Sequence, residues 1–182
     1  MRMLFTGKGD NGSTGLFGTK EKLSKSSPIT EALGALDEAN SYIGLVKSRI
    51  ILHTDTGPAD AAILNGVQNN LFIVQAQVAG ADKKVADDQV KQLEEIINAF
   101  EKKLPPIKSF LIPGSTEISA QFDVARTLVR RAERRTVAVS EMNPGRVDAL
   151  TLAYINRLSS LMYAYARWFA EKDGGGEQAP TY

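Results

Sequence analysis

Five long runs with apolar residues at steps of three and four, each stopped by proline or glycine, constrain this chain more than any other feature. The run "ITEALGALDEANSYIGLVKSRI" aligns Ile29, Leu33, Leu36, Asn40, Ile43 and Val46 or Lys47. Thr30 is its expected cap, with Pro28 just outside, and "TDTGP" breaks it. A second helix is predicted from about Asp60 to Ala81, with Ile63, Val67, Leu71, Val74 and Val78 spaced for burial. A third, about Asp87 to Lys103, carries Val90, Leu93, Ile96, Ile97 and Phe100 and stops at "LPP". The fourth opens near a capping Thr116 and runs through "ISAQFDVARTLVRRAERRTVAVS" to the turn "EMNPGR". The fifth, about Val147 to Ala170, aligns Leu150, Tyr154, Leu158, Leu161 and Tyr165. Strand signal is slight, and no strand–helix alternation of the Rossmann or P-loop kind appears. The pattern predicts an all-α five-helix bundle in one domain, 1–182, with the helices over about 29–172. The tail "EKDGGGEQAPTY", about 173–182, reads as flexible and poor in buried surface.

Composition removes several function classes. The 182 residues contain no cysteine, so disulfides, thiolate catalysis and Cys-ligated metals are out. The single histidine, His53, follows a helical run and reads as an exposed loop residue, which removes His-rich metal sites and His-dependent triads. Lys and Arg number 22 against 21 Asp and Glu, so the positive sweep expected of a nucleic-acid binder is missing. No apolar run is long enough for a membrane span or a secretory leader, and a cytoplasmic protein is expected.

Two stretches ask for a ligand. "FTGKGDNGSTGLFG" puts five glycines in fourteen residues, an expensive segment to order. It reads either as a disordered arm or as a cradle whose backbone N–H groups, Lys8, and the hydroxyls of Thr6, Ser13 and Thr14 surround phosphate oxygens. Lys22 and Lys25 could close over the same anion, while Phe5, Leu16 and Phe17 could pin the loop to the bundle. On the fourth helix, Arg126, Arg130 and Arg134 fall on one face, with Arg131 and Arg135 beside them. Such a stripe is a solvated face, a site for an anion or an RNA backbone, or a partner for acids. Asp123 and Glu133 are the local acids, and Asp37 on the first helix is the distant one. Asp37 and Glu38 read equally as plain surface acids. Asn156 stands at a face boundary of the fifth helix, within reach of a ligand. The tyrosines and Trp168 read as core or subunit contacts.

Taken in order, "TGKGDNGSTGLFG", "LSK", "GALDEAN", "FLIPG", "VARTLVRRAER" and "YINRLSSLMYAYAR" closely resemble the PduO-type ATP:cob(I)alamin adenosyltransferases, from Phe5 to Arg167. The resemblance implies a five-helix bundle of the cobalamin adenosyltransferase type, with an ordered N-terminal loop, forming a homotrimer whose active sites lie between subunits. It implies ATP, Mg2+ and cobalamin, the last as the cob(II)/cob(I)alamin substrate, with a reductase and a B12-dependent acceptor enzyme as further partners. No nucleic acid or membrane is implied. The loop, with Thr6, Gly7, Lys8, Gly9, Asp10, Gly12, Ser13 and Thr14, would wrap ATP, and Lys8, Lys22 and Lys25 would hold phosphates. Arg130 would be the main triphosphate arginine, supported by Arg131. Arg126 would pair with Asp37 across the subunit boundary, Glu133 would stand near nucleotide and magnesium, and Asn156 would contact the nucleotide. Phe110 would crowd the lower face of the corrin. A non-catalytic cobalamin or nucleotide carrier is the other reading the resemblance allows. The chain departs from the family pattern at Ser115, Phe122 and Asp123, where glycine, small and His residues are usual, which bears on corrinoid affinity. Lys22 also replaces a common arginine, weakening any bidentate phosphate contact.

Overall fold

In the computed structural model, residues 5–16, 22–53, 55 and 57–182 are described. Phe17 and the side chain of His53 lie outside them. Among the described residues the order is β1 (Ser13–Gly15), β2 (Lys22–Ser24), α1 (Pro28–His53), α2 (Gly57–Ala79), α3 (Asp87–Glu101), α4 (Glu117–Met142) and α5 (Ala149–Lys172). The helices pack in the spatial order α2–α1–α4–α5–α3. The two strands form a small antiparallel ladder, Ser13 opposite Ser24 and Gly15 opposite Lys22. This hairpin is the one addition to the all-helical expectation. Three-residue strands in a Gly-, Ser- and Lys-rich segment are too short to show a two-residue period.

Helix ends follow local chemistry. Thr116 caps α4 by accepting from Ser119 N at 3.3 Å, as its position predicts. Asp148 does the same for α5, accepting from Thr151 N at 2.8 Å. At α1 the helix begins earlier than its sequence suggests. Pro28 is the first helical residue, where its missing N–H costs nothing, and Ser27 takes the cap, accepting from Thr30 N at 3.4 Å. The Thr30 hydroxyl lies within 3.0 Å of three backbone carbonyl oxygens, those of Ser24, Lys25 and Ser27, and so ties the hairpin to the helix.

The core joins all five helices. Phe122 stacks on Tyr165 (4.8 Å between centroids) and on Phe169 (5.6 Å), while Phe100 meets Tyr165 edge-on at 4.8 Å. Tyr165 donates to Asp60 Oδ1 at 3.1 Å, giving a buried carboxylate one partner. Burial pushes the Tyr154 hydroxyl up to about 12. Most of the expected apolar positions are buried; Leu33, Ile63, Ile96, Ile97 and Phe100 are partly buried against the core, and Leu150 is exposed in the first turn of α5. Phe122, one of the departures from the family pattern, is fully buried and stacked among aromatics.

The tail does more than expected. Gly174 N, Gly175 N and Gly176 N bond to carbonyls of Glu171 and Ala170, turning the chain back at the end of α5. Glu177 then pairs with Arg167, and Gln178 O accepts from Ile112 N at 2.8 Å.

Candidate active site

A chemistry-bearing hollow lies between α4, α5 and the connector 105–114. It holds about 660 Å3 and is lined by Phe110, Arg126, Arg130, Ser159, Ser160 and Tyr163, with Ile107, Lys108, Ser109 and Leu111 along the connector. Helical spacing explains the assembly. Arg126 and Arg130 are one turn apart on α4, and Ser159, Ser160 and Tyr163 share a face of α5. Phe110 sits on the connector with 81% of its surface exposed, in the same cleft wall as the exposed Ile107.

The arginines divide by environment. Arg130 is exposed, and its guanidinium has no hydrogen-bond or ion-pair partner among the described residues. Arg126 is partly buried, with Nε 3.6 Å from Asp123 Oδ1 and its guanidinium 5.9 Å from the Tyr163 ring centre. Burial pushes the Asp123 carboxyl up from its ordinary range, while Arg126 and the Gly114 N–H (3.2 Å) pull it down. Arg131 pairs with Glu38, Arg135 lies 3.8 Å from Glu31, and Arg134 donates to Arg130 O at 3.1 Å. The acids that answer the outer stripe thus come from α1.

The acids near the stripe find other partners or none within the chain. Asp37 is exposed and has no bonded partner among the described residues, and the Arg126 pairing expected of it lies across a subunit boundary. Glu133 meets Asn156, whose Nδ2 donates to it at 2.8 Å, rather than its helix neighbour Arg130. Arg157 then donates to Asn156 Oδ1 at 2.9 Å and to Glu94 Oε1 at 2.8 Å. Neither Glu133 nor Asn156 lines the main cleft.

The N-terminal loop is ordered by its own turns. Asp10 N bonds to Gly7 O at 3.3 Å and Gly12 N to Gly9 O at 3.1 Å. Asn11 Oδ1 accepts from Ser13 N at 3.1 Å and from Ser13 Oγ at 2.6 Å, and Thr6 Oγ1 lies 3.4 Å from Lys8 N. Gly7 and Gly12 have φ of 66° and 79°, so glycine is required at both turns. Part of the expected N–H cradle is therefore already bonded. Lys25 folds over the loop: a Cβ on Gly9 would lie 3.2 Å from its Nζ. Lys8, Asp10 and Lys22 are exposed. Thr14 and Lys25 line a second cleft of about 630 Å3, against Thr30, Leu33, Phe72 and Gln75. One chain thus gathers Phe110, Arg126 and Arg130 in one cleft and puts Thr14 and Lys25 in another.

Sequence reasoning missed Ser159, Ser160, Tyr163 and Lys108. The signal was present: the first three stand three, four and seven residues beyond Asn156, one helical stripe. For a metal, no group of three or more acidic or histidine side chains gathers among the described residues. Glu133 stands alone and already holds one amide. It does not form a cage for a resident ion. No helix among the described residues is long and apolar enough to cross a membrane.

The fold and cleft define a helical-bundle protein that offers an unpaired arginine to an anion beside an exposed aromatic surface. Comparison with known proteins narrows this. The family model described as cobalamin adenosyltransferase matches residues 4–169. The chain is 36% identical over 172 residues to the corrinoid adenosyltransferase PduO of Citrobacter freundii, covering 90% of this chain and 49% of that protein. It is 34% identical over 178 residues to the corrinoid adenosyltransferase of Bacillus subtilis (strain 168), covering 96% and 90%. It therefore spans about half of the Citrobacter protein but nearly all of the Bacillus one. Among solved structures, a Phe-to-Ala variant of the PduO-type ATP:corrinoid adenosyltransferase from Lactobacillus reuteri, complexed with cobalamin and ATP, superposes with a TM-score of 0.87 at 30% identity, covering 99% of this chain and 100% of that one. An Arg-to-Lys variant complexed with ATP gives 0.86 at 30% identity, covering 98% and 100%. The chain belongs to the cobalamin adenosyltransferase family.

Proposed function

We propose that this protein is a cytoplasmic ATP:cob(I)alamin adenosyltransferase, moving the 5′-deoxyadenosyl group of ATP onto the cobalt of cob(I)alamin and releasing inorganic triphosphate. The observation that carries the reading is one cleft with a free Arg130 guanidinium on one wall and the exposed Phe110 ring on another, in a chain of this family.

Cob(I)alamin brings its own nucleophile, a cobalt lone pair. That pair attacks C5′, a cobalt–carbon bond forms, and the C5′–O bond breaks with its electrons passing to triphosphate. No general base is needed, which suits a chain without cysteine and with one histidine. The protein has to line up C5′ with the cobalt and to meet charge gathering on the leaving group. Arg130 meets that charge, because its guanidinium has no internal partner to give up and its planar fork matches phosphate oxygens. The exposed Phe110 ring, occupying the corrin's lower face, excludes an axial base or water and favours a four-coordinate cob(II)alamin that is easier to reduce. Magnesium would arrive with ATP, beside Glu133, and would offset triphosphate charge.

Thr14 and Lys25 stand at a different cleft from Arg130, which supports a site completed by a second chain. In this reading a homotrimer brings the loop of one subunit to the arginines of its neighbour, and Arg126 meets the neighbour's Asp37. A reductase supplies the electron and a B12-dependent enzyme takes the product. The test is anaerobic turnover with Mg-ATP and chemically reduced cob(I)alamin. Loss of cob(I)alamin absorption matched by adenosylcobalamin is expected. Binding of both substrates without product would mean a carrier instead.

A further inference from the structure

We propose that the C-terminal segment 174–178, acting with Arg167, positions the Phe110 connector and thereby sets how the cleft holds the corrinoid. This rests on the reading of the Phe110 cleft as the corrinoid side of the site.

The connector has little structure of its own, yet it is held at three points. At its start, Arg167 Nη2 donates to Pro105 O at 2.7 Å. Near its end, Ile112 N donates to Gln178 O at 2.8 Å, and Gly114 N donates to Asp123 Oδ2 at 3.2 Å. The first two anchors are joined through Glu177, which takes both Nε and Nη2 of Arg167, the latter at 3.1 Å. Arg167 is only 6% exposed and the Glu177 side chain 18%, so this pair is shielded from the solvent that weakens surface ion pairs. Phe110 is the exposed apex of the loop so clamped.

The glycine run "GGG" makes the clamp possible. Gly174 and Gly176 have φ of 71° and 67°, the left-handed region that favours glycine. Gly175 has no room for a side chain: a Cβ there would lie 2.8 Å from Ser115 O and 2.6 Å from Thr116 Cγ2. The tail thus lies directly on the end of the connector. Behind it is a small cavity of about 50 Å3 walled by Ile112, Asp123, Arg126, Tyr163, Arg167 and Glu177. Arg126 and Tyr163 also wall the main cleft, so the clamp and the cleft share side chains. Arg167 and Glu177 are therefore positioning residues, acting through the connector.

The experiment compares the parent with Glu177→Ala, Glu177→Asp and Gly175→Ala. It measures KM for cob(I)alamin and for ATP, the four-coordinate cob(II)alamin absorption, and tryptic cleavage after the exposed Lys108. Glu177→Ala and Gly175→Ala are expected to raise the corrinoid KM about tenfold, as misplacement of a site wall does, with the ATP KM moving less than about twofold. The four-coordinate signal should fall, cleavage at Lys108 should quicken, and Glu177→Asp should recover part of each. Unchanged corrinoid KM in an active parent background, or equal rises in both KM values, would overturn the proposal. A parent inactive on corrinoid would instead remove the functional reading, and unchanged cleavage at Lys108 would then still overturn the clamp.

Discussion

Replacing Arg130 by alanine separates a ligand arginine from a structural one, because its neighbour supplies the control. Arg130 is exposed and gives up no internal hydrogen bond or ion pair among the described residues, so Arg130→Ala should change stability by no more than about 0.5 kcal/mol. Its contact with triphosphate is charge-assisted. A bond of that kind contributes about 1.5–3 kcal/mol, or roughly tenfold to a hundredfold in kcat/KM. If the contact tightens as the leaving group gains charge, the loss extends to about a thousandfold and falls on kcat. Arg131 differs: it pairs with Glu38, both side chains about half exposed (46% and 59%), a link worth at most about 1 kcal/mol. Arg131→Ala should therefore cost a little stability and less activity than Arg130→Ala. The assay pairs steady-state adenosylation with urea unfolding of both variants. An Arg130→Ala enzyme within threefold of the parent, or one that loses several kcal/mol of stability, would refute the assignment.

Phe110→Ala should leave ATP affinity within about twofold and reduce the four-coordinate cob(II)alamin signal, since the ring makes its contribution outside the core; equal spectra for variant and parent would count against it. Mixing chains bearing Lys25→Ala with chains bearing Arg130→Ala should restore about a quarter of the parental sites if each site draws on two subunits, and none if it lies within one chain. Phe122→Ala removes a fully buried ring from a stacked triad and should cost about 3–5 kcal/mol in urea unfolding, while a loss below about 1 kcal/mol would show that the site collapses freely.

What the sequence showed was set by how local the chemistry is. Thr116 as the cap of α4 and the buried faces of the helices follow from neighbours within a few positions, and both were legible. The start of α1 was misplaced because Ser27, Pro28 and Thr30 all suit a helix start, and the choice depends on where the hairpin meets the helix. Glu133 illustrates the limit at the site. Its i−3 neighbour Arg130 was the obvious local partner, yet Asn156 on α5 reaches it instead. The anchors of the tail, Gln178 to Ile112 and Arg167 to Pro105, join residues far apart in the chain, and no periodicity announces them. The gathering of Phe110, Arg126 and Arg130 was legible through resemblance. The separation of Thr14 and Lys25 into another cleft agrees with the intersubunit sites that the same resemblance implies, though no helical period or local motif announces it.

The most direct test of the central claim is the identity of the phosphate product. Phosphorus NMR of a completed anaerobic reaction should show one inorganic triphosphate for each adenosylcobalamin formed, with no matching ADP. Adenosylcobalamin absent, or ATP converted to ADP and phosphate in its place, would contradict attack at C5′ and with it the account of this cleft.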